Sequence, residues 1–328
     1  MTTATSPTHR SSPVGDEGCV RRSIQSTLDQ HITLRWWALL CTISVVNVAL
    51  WVRTYRSLPL LDTPPDDVSS IINNHHNRHP YQRHHLLLSG IYVFVCAYRS
   101  FLPRIDLERY CLWDTFASSI FLGRTAATVA EMSFAAQVSL FLYHLGEVHD
   151  HHAACHLGVV LVPMIAVAQC FCWCGVITLN HVYHAIEESI WAICAAFVGC
   201  IMGSLAIYNP RHRELYRLGV WGCAACFAFC AYMILVDVPM YMKRWREGRR
   251  ISAAKKVDDI KLCSEANHKH KQQQAFLSSF DGGKDAMRRR VVTKSWEVWR
   301  GETIWLTGYF SSAVWLSLLM VHYPAPAP

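Results

Sequence analysis

The sequence predicts an all-α integral membrane protein, a bundle of about seven transmembrane helices with its N-terminus on the cytoplasmic side. Hydrophobic residues fill 52% of the 328 positions and charged residues only 17%, against roughly 25% charged in soluble domains. The apolar residues are gathered into runs that reach or approach the ~20 helical residues needed to cross the hydrocarbon core. One of those runs carries charges in its interior, a second has a charged stretch directly before it, and these bear on function.

The first 33 residues are polar and lack the basic end, short apolar run and small-residue cleavage site of a signal peptide, so positions 1–33 read as a disordered tail. The spans follow as Leu34–Val52, Leu86–Leu102, Ala117–Leu145, Leu157–Ile177, Ser189–Tyr208 and Leu218–Val238. Together they make residues 34–242 a six-helix membrane region. The second is the shortest. The third is longer than the core requires, so it tilts or starts outside. Residues 243–300 form a basic cytoplasmic loop, read as a largely disordered linker. Residues 301–328 hold the last span, Thr303–Val321, and a short tail.

Orientation rests on one segment. The 243–300 loop contains 16 Lys and Arg against 7 Asp and Glu. Lys and Arg concentrate on the cytoplasmic side, which places this loop and the N-terminus inside. The loop also accounts for most of the net charge of +7, so its expected partner is the anionic headgroups of the lipid bilayer. No nucleic-acid motif is present. Of the 14 cysteines most lie inside spans, where Cys acts as a small hydrophobe rather than part of a disulfide framework. Cys170, Cys172 and Cys174 stand at i, i+2 and i+4, which does not put them on one helix face. Ala195, Gly199 and Gly203 form a small-residue stripe for close helix packing. Trp36, Trp37, Trp51, Tyr241, Trp245 and Trp305 read as an interfacial aromatic belt.

Charges within a span cost at least ~2.5 kcal/mol each on insertion scales, so they face the bundle interior and mark function. Arg124 and Glu131 are seven residues apart, nearly one face of a helix. Asn180, His184, Glu187 and Trp191 form a second stripe, flanked by Glu188. With an inside N-terminus, Arg124, Glu187 and Glu188 share a depth, Gln169 falls near it, and Asp237 sits closer to the cytoplasmic surface. This gives Glu131, His184, Glu187, Glu188 and Arg124 as catalytic candidates, with Asn180, Gln169, Trp191 and Asp237 as substrate-binding candidates. Acid, base, cation and amide groups in one place can move protons or polarise a carbonyl. The bland alternative makes Thr178–Ser189 an interfacial turn with its His and Glu residues in headgroup water, and lets Arg124 snorkel to the inner edge. Glu131 stays in the core under either reading.

Ten of the 18 histidines fall in two outer regions, 75–85 and 144–156. His149, His151 and His152, beside Glu147 and Asp150, are candidate ligands of a transition metal, a reading weighed against a merely polar loop. Two function classes fit the whole. One is a membrane-embedded enzyme acting on a lipid or other apolar small molecule by acid/base chemistry. The other is a proton- or metal-ion-coupled transporter or channel, with a non-catalytic membrane scaffold as the plainest alternative.

Overall fold

The computed structural model describes residues 14–58, 78–262 and 279–323. All seven predicted spans fall on helices. In chain order the helices among the described residues are α1 (Val14–Ser57), α2 (Arg78–Phe101), α3 (Ile120–Val148), α4 (His152–Thr178), α5 (His181–Tyr208), α6 (Arg213–Tyr232), α7 (Val238–Leu262), α8 (Ser279–Arg288) and α9 (Trp296–His322). Among the described residues, six are long and apolar enough to cross a membrane: α1 from Thr27, α3, α4, α5, the continuous rod from Arg213 to Arg250, and α9. Helix α2, at the second predicted span, begins with the polar run RHPYQRHH and does not belong to that set. It still packs against α1, α3 and α9.

Two apolar cores hold the bundle. One joins Trp36 and Leu40 of α1, Tyr92 and Val93 of α2, and Trp299, Phe310 and Val314 of α9. The other joins Leu142 and Leu145 of α3, Ile165 of α4, Met202 and Leu205 of α5, and Leu215 of α6. Polar side chains fasten the layers where hydrocarbon offers no alternative partner. The Gln137 amide on α3 donates to the carbonyls of His85 on α2 and Ser317 on α9, at 3.0 and 3.3 Å. The small-residue stripe on α5 does bring α6 close: a Cβ on Gly199 would stand 3.1 Å from Cys226, and one on Gly203 3.2 Å from the Cys223 Sγ. Outward-pointing Ile304 (83% exposed), Trp221 (75%) and Leu235 (73%) form a surface suited to lipid rather than to water.

The α6–α7 rod is interrupted by a π-helical turn, Met233–Asp237, in which the Val238 N–H reaches back to the Met233 carbonyl. Pro239 explains it. Proline has no N–H to give the Leu235 carbonyl and its ring collides with that oxygen, so the turn widens.

The segments read as unstructured in the sequence contain ordered elements. Helix α1 starts at Val14, inside the predicted tail. Of the basic 243–300 segment, 243–262 continues α7, and 279–300 forms α8, a strand β3 (Val291–Val292) and the start of α9. The prediction for residues 263–278 lies outside the described residues. Strand β3 runs parallel to β2 (Tyr110–Cys111), which pairs antiparallel with β1 (Arg104–Ile105). What sequence patterning misses is the set of long-range anchors. Arg109 is 1% exposed and donates to Asp285 of α8 (3.0 Å), the Asp106 carbonyl (2.9 Å) and the Val176 carbonyl at the end of α4 (2.8 Å). Arg290 pairs with Asp114 at 3.0 Å.

Candidate functional site

Arg124 and Glu131 meet as their spacing predicts. The Arg124 Nη2 lies 2.8 Å from both carboxylate oxygens of Glu131 and 2.9 Å from the Oε1 of Gln169 on α4. Gln169 returns a hydrogen bond from its Nε2 to Glu131 at 2.5 Å, and its Oε1 also accepts from Thr128 at 3.1 Å. Trp173 closes the set by donating to the Thr128 hydroxyl at 3.1 Å. The guanidinium thus reaches along α3 toward Glu131 rather than out to the interface. Burial without a partner would be costly for either charge; paired and hydrogen-bonded, both are sustained.

Helix α5 begins at His181, with Asn180 as its N-cap accepting from the Val182 N–H at 3.2 Å. The preceding turn passes through Leu179 in the left-handed region, φ 56°. The stretch 181–189 is therefore the first two turns of a continuous helix rather than a turn. His184 and Glu187 are both buried, and the His184 Nδ1 stands 2.8 Å from the Glu187 Oε2. The Tyr241 ring of α7 stacks over His184 with centroids 5.3 Å apart and planes at 27°.

These groups surround one end of a cavity of about 900 Å³ between α9 and the α3–α5–α6 face. All five catalytic candidates, Arg124, Glu131, His184, Glu187 and Glu188, line it, as does Trp191. Glu188 faces it without a hydrogen-bond or ion-pair partner among the described residues. From this polar end the walls become apolar, through Leu161, Val198 and Met202 to Leu319, ending at His322 and Tyr323. At the other limit, the loop before α3 contributes Arg104, Asp106 and Glu108, next to Arg244 and Glu302.

Three substrate-binding candidates are placed away from the cavity wall. Gln169 has both ends of its amide engaged in the Arg124–Glu131 network. Asn180 is used as a helix cap. Asp237 is buried on the π-helical turn. The candidate metal-binding histidines of the 144–156 region do not converge either. His151 spends Nδ1 on capping Ala154 and Nε2 on Ser204, at 3.1 and 2.9 Å. His152 is exposed beside Asp150 at 3.8 Å, and His149 lies near His212, ring centroids 6.4 Å apart. Among the described residues the donors that do gather with metal-like spacing are Cys172, His184 and Glu187, all buried.

Sequence reasoning named Cys172 and Tyr241 but did not place them at the site. A signal for Cys172 was present: it lies seven residues before Leu179 as Glu187 lies seven after Asn180. In an antiparallel helix pair, positions equidistant from the turn share a depth. Tyr241 gave none, because as a span-end tyrosine it is indistinguishable from a belt residue. Trp36, also read as belt, is buried in the first core, with its indole N–H on Thr307 at 3.1 Å. No protein-family model, no curated protein and no solved structure matches this chain.

Proposed function

We propose that this is an integral membrane enzyme that takes an amphipathic, lipid-like molecule into the interhelical cavity and acts on its polar end by acid/base chemistry. The chain would cross the bilayer with its N-terminus and the basic 243–300 segment on the cytoplasmic side, the basic residues against anionic headgroups. The observation that carries the reading is the cavity itself: about 900 Å³, with a long apolar wall leading from one charged end. That volume is at the upper end for small-molecule pockets, and a desolvated ion or proton relay has no use for it. At the charged end, Glu188 is the free carboxylate for proton transfer. His184 and Glu187 form a coupled base, and Arg124, already compensated by Glu131, supplies a fixed positive edge toward an oxyanion.

The test is lipid analysis of the protein purified in mild detergent. Wild type is expected to retain one amphipathic species enriched over bulk lipid. Val138→Phe, which fills the apolar wall, should lose it. Glu188→Gln should keep it while abolishing turnover. A lipid profile identical to bulk in all three samples would falsify the proposal and return weight to an ion-coupled carrier or a scaffold.

A further inference from the structure

Cys172 on α4 and His184 and Glu187 on α5 bring one sulfur, one nitrogen and one carboxylate oxygen within 4.8 Å of one another, all three residues being buried. The Cys172 Sγ is 4.0 Å from the His184 Nδ1, and the Glu187 Oε2 is 2.8 Å from the same nitrogen. That shared nitrogen separates two chemistries. A nucleophile–base–carboxylate triad needs the nucleophile on one ring nitrogen and the carboxylate on the other. Here both face Nδ1, and the far nitrogen, Nε2, has no hydrogen-bond partner. It lies against α4 where a Cβ on Gly175 would come within 2.6 Å of it. Donors pointing at one place from three side chains are what a metal ion requires.

We infer that Cys172, His184 and Glu187 form a binding site for a divalent transition metal of the zinc class. Three protein donors of S, N and O type, with one position left open, are the pattern of a catalytic rather than a structural zinc centre. Metal–sulfur and metal–nitrogen bonds of about 2.3 and 2.0 Å place the two donor atoms less than 4 Å apart in a tetrahedron, close to their present separation. The Glu187 carboxylate needs only a small rotation away from Nδ1. Binding releases the thiol proton of Cys172 and the proton shared between His184 and Glu187. A dication with one thiolate and one carboxylate carries no net charge, so the centre adds no uncompensated charge to the interior. With Nδ1 on the metal, the imidazole proton resides on Nε2. His184, Glu187 and Glu188 line the cavity and Cys172 on α4 does not, so an open position on the metal would face the cavity. A metal there is a Lewis acid at the reacting end and takes the place of the His184–Glu187 base, leaving proton transfer to Glu188; only this access to substrate rests on the function proposed above.

The experiment is elemental analysis of the full chain in detergent, followed by loading with Co²⁺ as a spectroscopic stand-in for Zn²⁺. Wild type and Cys170→Ser, whose thiol is exposed on the same helix, should each hold about one metal per chain. They should also show thiolate-to-cobalt charge-transfer absorption. Cys172→Ser should lose that absorption even where metal is retained, and His184→Ala and Glu187→Ala should bind metal roughly tenfold or more weakly. Wild type that neither retains metal nor takes up Co²⁺ overturns the site, as does charge-transfer absorption surviving in Cys172→Ser. Lipid is measured on the same samples. Lipid without metal removes the metal centre alone; metal without lipid removes the lipid reading alone.

Discussion

The Nη2 of Arg124 stands 2.8 Å from both carboxylate oxygens of Glu131, two turns along the same helix, and Gln169 of the next helix bonds to each partner. Breaking one side of such a buried pair leaves the other charge uncompensated, at about 3–5 kcal/mol. Glu131→Ala and Arg124→Ala should each lower stability by that order, while the double variant Arg124→Met/Glu131→Leu should lose markedly less than the sum. Thermal unfolding in detergent reads this directly; additive losses would mean the pair is not coupled.

Gly123 is needed for close approach. A Cβ there would lie 2.2–2.3 Å from the Arg104 guanidinium, whose Tyr98-facing side has the aromatic ring 4.8 Å from Cζ. Arg104 also holds the Ser119 carbonyl at 2.8 Å, at the N-cap of α3. A methyl group at position 123 must displace this guanidinium from its place against Tyr98 and the Ser119 carbonyl. Gly123→Ala is expected to cost about 1–3 kcal/mol, typical of overpacking. In Arg104→Ala the same substitution should cost almost nothing further. An equal cost in both backgrounds would show that the collision is relieved some other way.

Arg109 holds the 279–295 segment to the bundle from a left-handed backbone, φ 60°, a conformation costing a non-glycine residue about 1–2 kcal/mol. Its three hydrogen bonds to α8, the loop and α4 offset that cost. Arg109→Gly relieves the backbone and removes the bonds. The bundle should then melt nearly as before, while amide exchange at Val291 and Thr293, which bond to the Arg109 and Cys111 carbonyls at 2.9 and 3.0 Å, should accelerate. Unchanged exchange over 281–295 would show that the small sheet holds this segment without the side chain.

His149, just beyond α3, has a buried Nε2 without a hydrogen-bond partner. Burial first, then the nearby imidazoles of His212 and His144, push its pKa below the ordinary 6.5. The folded protein therefore favours neutral His149, and the unfolded chain binds the proton more readily. Its contribution to stability is present above pH about 6.5, falls as the pH drops below that value, and levels off beneath the lowered folded pKa. His149→Asn should flatten the melting-temperature profile between pH about 7.5 and about 5.5. A slope identical to wild type assigns the pH response to other histidines.

The α3 and α5 stripes show how far local spacing carries. A spacing of seven from Arg124 to Glu131, and of three from His184 to Glu187, already implies that each pair shares a helix face, because helical geometry is fixed by the backbone alone. Six of the seven expected spans were equally visible, since apolar runs must match the thickness of hydrocarbon. Rotation of one helix against another was not visible. It turned Gln169 into the network and away from the cavity, set Tyr241 over His184, and brought Cys172 up to the α5 dyad.

The sequence by itself determined a helical, membrane-type chain and which residues share each helix face. Hydropathy and helical periodicity are sums over neighbouring residues. The tertiary structure alone decided that α3, α5, α6 and α9 leave a cavity between them. It also decided that the loop after α2 lies at the cavity's edge, and that β3 returns from far along the chain to pair with β2. Those outcomes depend on contacts between residues distant in sequence, through side-chain volumes, glycine clearances and buried ion pairs that no local window contains.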